Sequence, residues 1–329
     1  MDKLRLLYNM IRRKAITPKR IFNLLSVSLS YVFRNKKVRG IPPALMVEPT
    51  NLCNLKCPLC PTGNNTSKRS KGFMDYDLFC STIDEIGDAV LHMTMWGYGE
   101  PLMNKDFSRM VACAKKKNIY VRTSTNGSFF KTDEAVDRLI DSGLDELIIS
   151  LDGATQETLD KYMVGAKLEE ILDGLERVHA RKQIKNAKFP IVILQFLVMS
   201  HNEDEIPRMR EISREYGVDR LALKTIRDTP APQSKVKNDR YKRLIKTNKV
   251  CSRIWFSAVI NWDGELIPCC HDLQARYGMG TLDHPQGKTF MTAWNGPEYQ
   301  AFREQMIKDK NSIPMCRNCH GSFQSLEAD

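Results

Sequence analysis

Three cysteines that follow the first predicted strand have the spacing of a metal-binding loop. Cys53, Cys57 and Cys60 form a C-x3-C-x2-C pattern in a polar segment. Structural zinc sites and closed iron–sulfur clusters normally take four protein ligands. Three thiolates therefore predict a metal centre with one position open to a cofactor or substrate. The alternative is a zinc knuckle with a distant fourth ligand, or a loop of unligated thiols.

A second group of cysteines lies near the end of the sequence. Cys251 and Cys269 are followed, after a gap, by Cys316 and Cys319, and Cys270 adjoins Cys269. Four thiolates suit a closed site, which the residues alone assign equally to zinc or to iron and sulfur. The spacing also allows Cys270 to replace Cys269. The remaining pair, Cys80 and Cys113, falls in helical patterns and is predicted to be buried packing residues.

The first cysteine loop resembles the signature of the radical S-adenosylmethionine (SAM) superfamily, in the segment EPTNLCNLKCPLC from Glu48 to Cys60. The resemblance implies a 4Fe-4S cluster on Cys53, Cys57 and Cys60, with SAM on the open iron. It also implies an enzyme that cleaves SAM reductively to a 5'-deoxyadenosyl radical and abstracts a substrate hydrogen. An electron donor such as flavodoxin or ferredoxin would then be a partner.

Three polar turns follow the second, third and fourth predicted strands, as WGYGEP, STNG and SLDG. Glycines permit close backbone approach, and a carboxylate can receive a cation. By resemblance to the family, the SAM-binding residues are Gly97, Gly99, Glu100, Asn126, Ser150 and Asp152. The alternative for the last three is a turn without a ligand role. Gln195, His201 and Lys224 are further candidates for facing the active cavity, and no catalytic residue is assigned.

The second cysteine group resembles the SPASM/twitch extension of radical SAM enzymes, because C-x9-15-G-x4-C is followed by C-x2-C. The resemblance implies one auxiliary 4Fe-4S cluster on Cys251, Cys269, Cys316 and Cys319. A fully ligated cluster favours electron transfer, and so a two-electron oxidation. Because no separate peptide-recognition domain precedes the barrel, the expected substrate is a sugar, aminoglycoside or lipid-linked metabolite. The alternatives are a peptide-modifying maturase, an epimerase or, outside enzymology, a non-catalytic zinc-binding interaction protein.

Apolar runs alternate with amphipathic stretches after residue 43. Strands are predicted at 44–48, 90–96, 119–123, 146–151, 191–199 and 220–226, with helices at 75–87, 105–117, 132–142, 167–185 and 203–216. This alternation predicts an α/β fold with a parallel sheet, and six such units favour a partial (β/α)6 TIM-like barrel over residues 44–228. Periodicity alone leaves an open doubly wound sheet as the alternative. Residues 229–329 are predicted to form a small cysteine-rich domain that begins with a hairpin around Asp263-Gly264.

Residues 1–43 form a basic N-terminal arm and linker. The first 40 residues carry eleven Lys or Arg and one acid, so they hold +10 of the net charge of +11. Apolar residues at helical spacing predict either contact of residues 1–38 with an anionic membrane or packing on the barrel, and nucleic acid is disfavoured. Pro42 and Pro43 predict a linker that separates the arm from the barrel. No cleavable signal is recognised, so the expected location is cytoplasmic or peripheral to the membrane.

Overall fold

The computed structural model describes residues 3–225, 250–272, 274–283, 287–317, 319 and 327–328. Its sheet contains nine strands in the order β8-β7-β1-β2-β3-β4-β5-β6-β9. Strands β1 to β6 and β7 pair in parallel, whereas β8 and β9 pair antiparallel with β7 and β6. The strands are Ala44–Val47, His92–Met95, Tyr120–Thr125, Glu146–Ser150, Ile191–Val198, Arg220–Thr225, Ser257–Ile260, Leu266–Ile267 and Glu327–Ala328.

Helices connect the parallel strands. In chain order, α1 to α12 are Lys3–Arg12, Pro18–Val32, Tyr76–Ile86, Phe107–Lys116, Asp133–Asp141, Gln156–Asp160, Leu168–Ile184, Ile206–Glu215, Arg253–Phe256, Phe290–Trp294, Pro297–Lys308 and Pro314–Arg317. Side-chain caps fix several starts: Asp75 accepts from Leu78 N (2.9 Å), and Thr132 accepts from Ala135 N (3.3 Å). The predicted partial barrel, with its six strands and five helices, is confirmed.

The C-terminal hairpin joins the barrel sheet. Ser257–Ile260 pairs in parallel with Ala44–Val47, so β7 and β8 extend the sheet beyond its first strand. The sheet is therefore continuous across the two predicted domains, although the predicted boundary at 228/229 lies outside the described residues. Within the part of the chain that the structure describes, no helix is long and apolar enough to cross a membrane.

The main core lies between the sheet and its covering helices, and α3 packs against α4 there. Cys80 of α3 and Cys113 of α4 form a disulfide, with their Cα atoms 6.2 Å apart. Cys113 is buried in the main core and Cys80 packs against it, so the prediction that both are packing residues is confirmed. The disulfide, which was not predicted, also removes them from the set of spare thiols.

The N-terminal arm is docked on the barrel rather than separated from it. Arg20 is buried and donates to the carbonyl oxygens of Ala15, Gly87, Lys117 and Asn118. These last three precede β2 and β3, so α2 lies at the N-terminal ends of the strands. The Pro42-Pro43 linker does not isolate the arm, and that prediction is wrong.

Helix α1 covers the same end of the barrel. Arg13 donates to Asp145 and to the carbonyl oxygen of Gly143, just before β4. Met10 and Ala15 pack against Tyr120, the first residue of β3. Both helices of the arm therefore close the end of the barrel that lies opposite the carboxyl ends of its strands.

Candidate functional site

The first cysteine loop lies at the carboxyl ends of the strands, where a barrel sheet presents its chemistry. It follows β1 and is held in place by internal contacts. Leu55 is buried, Lys56 N donates to Val164 O (2.9 Å), and Thr50 Oγ1 donates to Gly72 O (2.6 Å). Because loop and strand are anchored together, the three thiols are brought to one place.

The three thiols Cys53, Cys57 and Cys60 are half-buried and interact with one another. Burial, with a smaller contribution from the charge of Cys60, raises the pKa of Cys53 to about 11 and that of Cys57 to about 12. Thiolates in such a place need a compensating cation, and an iron–sulfur cluster supplies one. Among the residues described, no group of three or more His, Cys, Asp or Glu side chains is arranged so that it could hold a metal ion. That an iron–sulfur cluster suits this site is therefore argued from the three soft thiolates, which would repel one another without it.

The glycine-rich turn after β2 packs against this loop. A Cβ on Gly99 would collide with the carbonyl oxygen of Thr50, and one on Gly97 would lie 2.7 Å from Glu48 Oε1. Glu100 N donates to Leu52 O (2.7 Å). Gly99 is therefore needed for the turn to approach the cysteine loop, and Gly97 leaves room for the Glu48 side chain. Contact of either glycine with SAM stays a prediction.

The side chain of Glu100 points into the protein. Its carboxylate accepts hydrogen bonds from Leu102 N (3.1 Å), Thr125 Oγ1 (2.8 Å) and Asn126 N (2.8 Å). Burial raises the pKa of Glu100 to about 7. These contacts join the turn after β2 to the turn after β3. The predicted role of Glu100 as acceptor for the SAM ammonium is not tested by them.

Asn126 and Asp152 both reach the cysteine loop from neighbouring turns. The Asn126 side chain donates to Asn54 Oδ1 (2.8 Å) and approaches Cys53 Sγ (3.9 Å). Asp152 is buried, accepts from Leu197 N (2.7 Å) and adds a negative charge near Cys57. Burial raises the pKa of Asp152 to about 7. Ser150 ends β4, half-buried and opposite Gln195 in register.

The inner face of the barrel is partly cationic. Alternate strand residues form this face, and a small apolar cluster of Ile148, Ile193 and Ala222 packs there against Trp96. Nearer the carboxyl ends, Lys224 and Gln195 share the face, as predicted. The Arg122 guanidinium lies 5.3 Å from the centre of the Trp96 ring. Burial, and then the charge of Arg122, lowers the pKa of Lys224 to about 8.

The second cysteine group forms a site of its own. Burial, together with the charges of Cys251 and Cys319, raises the pKa of Cys316 to about 12. The buried Lys310 ammonium donates to the carbonyl oxygen of Cys319 (2.7 Å), and Cys319 N donates to Cys316 O (3.2 Å). Three of the four predicted auxiliary ligands thus lie within electrostatic reach of one another.

Cys269 and Cys270 approach this group through Arg253. The guanidinium Nη1 lies 3.2 Å from Cys270 Sγ and 4.0 Å from Cys269 Sγ. A hydrogen bond from Cys269 and the nearby Arg253 charge lower the pKa of Cys270 to about 5. Cys270 also borders a small cavity beside Gly97 and Tyr98. Both thiols lie at the site, so the choice of ligand stays a prediction.

Sequence reasoning did not single out Tyr98, which links the two cysteine groups. Its hydroxyl lies 3.4 Å from the carbonyl oxygen of Cys270, and burial raises its pKa above the ordinary range. The charges of Cys270 and Cys60 raise it further. The only feature of the sequence that could have pointed to Tyr98 was its position between Gly97 and Gly99. Arg253 and Lys310 were marked only by lying close to cysteines in the sequence.

Comparison with known protein families shows to which family the chain belongs. Residues 47–212 match the family model described as the radical SAM superfamily, which is half of the chain. The chain belongs to the radical SAM superfamily. Residues 251–320 match a second model, SPASM, an iron–sulfur cluster-binding domain. The two families imply a 4Fe-4S cluster, an auxiliary cluster and SAM, so the predicted cofactors are confirmed and zinc is not favoured.

Individual relatives of this radical SAM chain differ in what they do. It is 26% identical over 319 residues to the tungsten-containing aldehyde ferredoxin oxidoreductase cofactor-modifying protein of Pyrococcus furiosus, covering 84% of this chain and 86% of the relative. BtrN in complex with AdoMet and 2-DOIA has a TM-score of 0.51 at 20% identity, covering 85% and 93% of the two chains. Streptococcus suis SuiB bound to precursor peptide SuiA has a TM-score of 0.63 at 15% identity, covering 84% and 70%. Both structural likenesses establish the fold alone.

Proposed function

We propose that this radical SAM enzyme oxidises its substrate by two electrons. When bound, the 4Fe-4S cluster with SAM supplies abstraction of a hydrogen atom, and the auxiliary cluster supplies an acceptor for the electron that the substrate must still lose. A proton leaves with that electron, so the substrate loses two hydrogens in all. The observation that carries the proposal is Tyr98, which is close to both cysteine groups.

The chain's own residues would hold and orient these groups. Cys53, Cys57 and Cys60 would hold the first cluster, and Cys251, Cys269, Cys316 and Cys319 the auxiliary one. Asn126 touches the first cysteine loop, and the buried Glu100 fixes the turn that carries it. We infer that Gly97, Gly99, Ser150 and Asp152 line the SAM site with them, because all four lie at the carboxyl ends of neighbouring strands.

The charge on the inner face of the barrel indicates which class of substrate the enzyme would accept. Arg122 and Lys224 both lie on it, and Asp152 and Glu146 are the acids nearest to them. Because burial raises the pKa of Asp152 to about 7, this acid is only partly ionised near neutral pH. Glu146 offsets the charge of Arg122, so the net positive charge of the cavity comes from Lys224. A polycationic aminoglycoside would be disfavoured there. The charge favours a sugar or a lipid-linked metabolite that carries a carboxylate or phosphate.

An epimerase is the second candidate, and Cys270 is the observation that favours it. An epimerase must return a hydrogen atom to the substrate, which requires a protonated thiol beside the cavity, and the lowered pKa of Cys270 counts against this role near neutral pH. Cys270 borders the small cavity with Glu48, Gly97 and Tyr98, and it is free for this role if Cys269 is the cluster ligand. A peptide substrate stays an alternative, since one structural neighbour was solved with a precursor peptide.

Iron analysis and SAM turnover test the assignment of the cysteines. Anaerobically reconstituted protein should bind about 8 iron and about 8 sulfide per chain, as two 4Fe-4S clusters require. Replacing Cys53, Cys57 and Cys60 by Ala should leave about half of the iron and abolish 5'-deoxyadenosine formation with dithionite. Replacing Cys316 and Cys319 should also leave about half of the iron but spare deoxyadenosine. Stoichiometric zinc without a charge-transfer absorption would refute both assignments.

The product distinguishes oxidation from epimerisation. Candidate sugars and sugar phosphates are incubated in deuterated buffer with the wild type, and with Cys270→Ala as the matched variant. Oxidation predicts a product lighter by two hydrogens, formed also by Cys270→Ala. An isomeric product that carries one solvent deuterium and disappears in Cys270→Ala would identify an epimerase instead.

A further inference from the structure

Both arm helices expose an apolar stripe, and α2 buries mainly polar side chains together with Val27. On α2, Arg20, Asn23 and Ser30 are buried against the protein. Asn23 donates to the carbonyl oxygens of Ile41 (2.8 Å) and Ala89 (3.3 Å), and its Oδ1 accepts from Ile41 N (2.9 Å). This is the reverse of an ordinary surface helix, whose apolar stripe faces the core.

The apolar side chains of the arm point to solvent. Ten of the thirteen large hydrophobic side chains that are exposed among the described residues belong to α1, α2 or the residue that follows: Leu4, Leu7, Tyr8, Ile11, Ile21, Phe22, Leu25, Leu29, Val32 and Phe33. Phe22 is 73% exposed and Phe33 70%. At about 100° per residue, each helix gathers its exposed apolar residues within about 120° of its circumference. We call these ten residues the apolar face.

The serines of α2 do not interrupt this face with unsatisfied hydroxyls. Ser26 donates to Phe22 O (3.0 Å) and Ser28 to Leu24 O (2.7 Å), one turn earlier in the same helix. A hydroxyl satisfied by its own helix costs little when water is removed. The helix is therefore compatible with an apolar environment on its outer side.

Positive charge surrounds the apolar face. No Asp or Glu occurs between residues 3 and 47. Arg5 and Arg12 are exposed beside the stripe of α1. Beyond the end of α2, a surface depression of about 660 Å³ is lined by Lys36, Lys37 and Arg39 together with Asn35, Val38 and Gln300. Lys36 is paired with Glu304 (3.2 Å), so Lys37 and Arg39 are the cations of this depression that can accept phosphate groups.

We infer that the apolar face and its surrounding cations bind the surface of an anionic lipid bilayer. The helices would lie in the interface with Phe22 and Leu25 among the acyl chains and the cations among the phosphates. A second copy of this chain is disfavoured as the occupant, because two strongly basic faces would repel each other. The inference is independent of the reaction proposed above.

The docked arm fixes how the enzyme would face the membrane. Both helices lie at the N-terminal ends of the strands, whereas the cysteine loop lies at the carboxyl ends. The cavity would therefore open away from the bilayer, toward the aqueous phase. A substrate would have to present its reacting group to that side.

Vesicle cosedimentation of the full chain tests the inference. The probes are phosphatidylcholine vesicles with and without phosphatidylglycerol, at about 0.1 M and about 1 M salt, where the Debye length falls from about 10 to about 3 Å. The apolar variant is Phe22→Ser with Leu25→Ser and Leu29→Ser, and its matched control is Ile184→Ser, a side chain 70% exposed outside the arm. The charge variant is Lys37→Gln with Arg39→Gln, and its control is Lys68→Gln with Lys105→Gln.

The wild type should bind vesicles that contain phosphatidylglycerol and bind less at high salt. The apolar variant should lose about tenfold in affinity for each inserted side chain, and the charge variant about fivefold for each cation. Both controls should bind like the wild type, and unchanged circular dichroism shows that the variants fold. Equal binding by the apolar variant would overturn the inference. So would a wild type that ignores anionic vesicles but forms a dimer which the apolar variant, in light scattering, does not form.

Discussion

Replacing Glu100 with Gln distinguishes a structural role, in which its carboxylate holds two turns together, from a role in binding the SAM ammonium. The carboxylate is 2% exposed and accepts three hydrogen bonds, two from backbone amides and one from Thr125. A Gln amide has one oxygen and one NH2, so one of the three donors would face another donor. Leaving a buried donor unsatisfied costs about 1 to 3 kcal/mol.

Burial of the charge acts in the opposite direction. Since one pKa unit corresponds to about 1.4 kcal/mol, the rise in the Glu100 pKa from 4.5 to about 7 makes its ionised form cost about 3 kcal/mol of folding free energy. The folded pKa of this acid is raised, so the cost is present above about pH 7 and disappears as the pH falls toward 4.5. Near pH 8 the two effects nearly cancel, and Glu100→Gln should be almost neutral.

We therefore propose to measure, as a function of pH, the difference in the free energy of unfolding between the wild type and Glu100→Gln. The free energy of unfolding of the wild type minus that of Glu100→Gln should rise by about 2 to 3 kcal/mol between about pH 8 and about pH 5. Urea denaturation followed by tryptophan fluorescence provides the values. Burial lowers the pKa of His92 to about 4 and gives the opposite trend, but both proteins contain His92, so it cancels.

The exposed Glu169→Gln in α7 is the matched control, and its difference should stay within about 0.5 kcal/mol across the range. A difference for Glu100→Gln that is flat, or that falls as the pH is lowered, would refute the reasoning. SAM binding to the reconstituted variant adds the second result. A loss of more than tenfold in SAM affinity with unchanged iron content would assign Glu100 to the cofactor ammonium.

Three further substitutions test the parts that position the site. Arg20→Met removes all the hydrogen bonds between this guanidinium and buried carbonyl oxygens, and should lower the free energy of unfolding by about 3 to 5 kcal/mol in urea denaturation. Gly99→Ala would push against Thr50 and should lower the iron content toward half, with loss of deoxyadenosine formation. Lys310→Met removes the 2.7 Å bond to Cys319 O and should lower iron in the auxiliary site while deoxyadenosine formation continues. Full iron content in either of these last two variants would contradict the corresponding role.

The barrel could be predicted because its signals are local. Runs such as Ile191–Val198 are apolar and rich in β-branched residues, and the helices between them begin at capping residues such as Asp75 and Thr132. The metal-binding residues could be predicted because thiols at short spacing have few other uses in a loop. Both signals lie within a few residues of sequence.

The features that could not be predicted from the sequence depend on contacts between residues that are far apart in the chain. Periodicity shows that α2 has an apolar stripe but does not show which side of the helix faces the protein. Because Arg20 is buried, the side that carries Arg20 faces the barrel and the apolar stripe faces outward. Spacing cannot show that Cys80 and Cys113, 33 residues apart, meet between two helices. Nor can it show that β7 pairs with β1, because a short strand at a sheet edge has no sequence signal for its neighbour.

The two ends of the barrel give the chain different constraints. At the carboxyl ends, glycines and buried carboxylates bring the turns close to a cysteine loop, and this costs stability that the fold must recover elsewhere. At the N-terminal ends, Arg20, Asn23 and Arg13 bind backbone carbonyl and carboxylate groups beside the strands. Polar anchoring of this kind leaves the outer sides of the arm helices free to be apolar. A change in the apolar face should therefore alter where the enzyme is located, whereas a change in the buried anchors should alter whether the barrel remains folded.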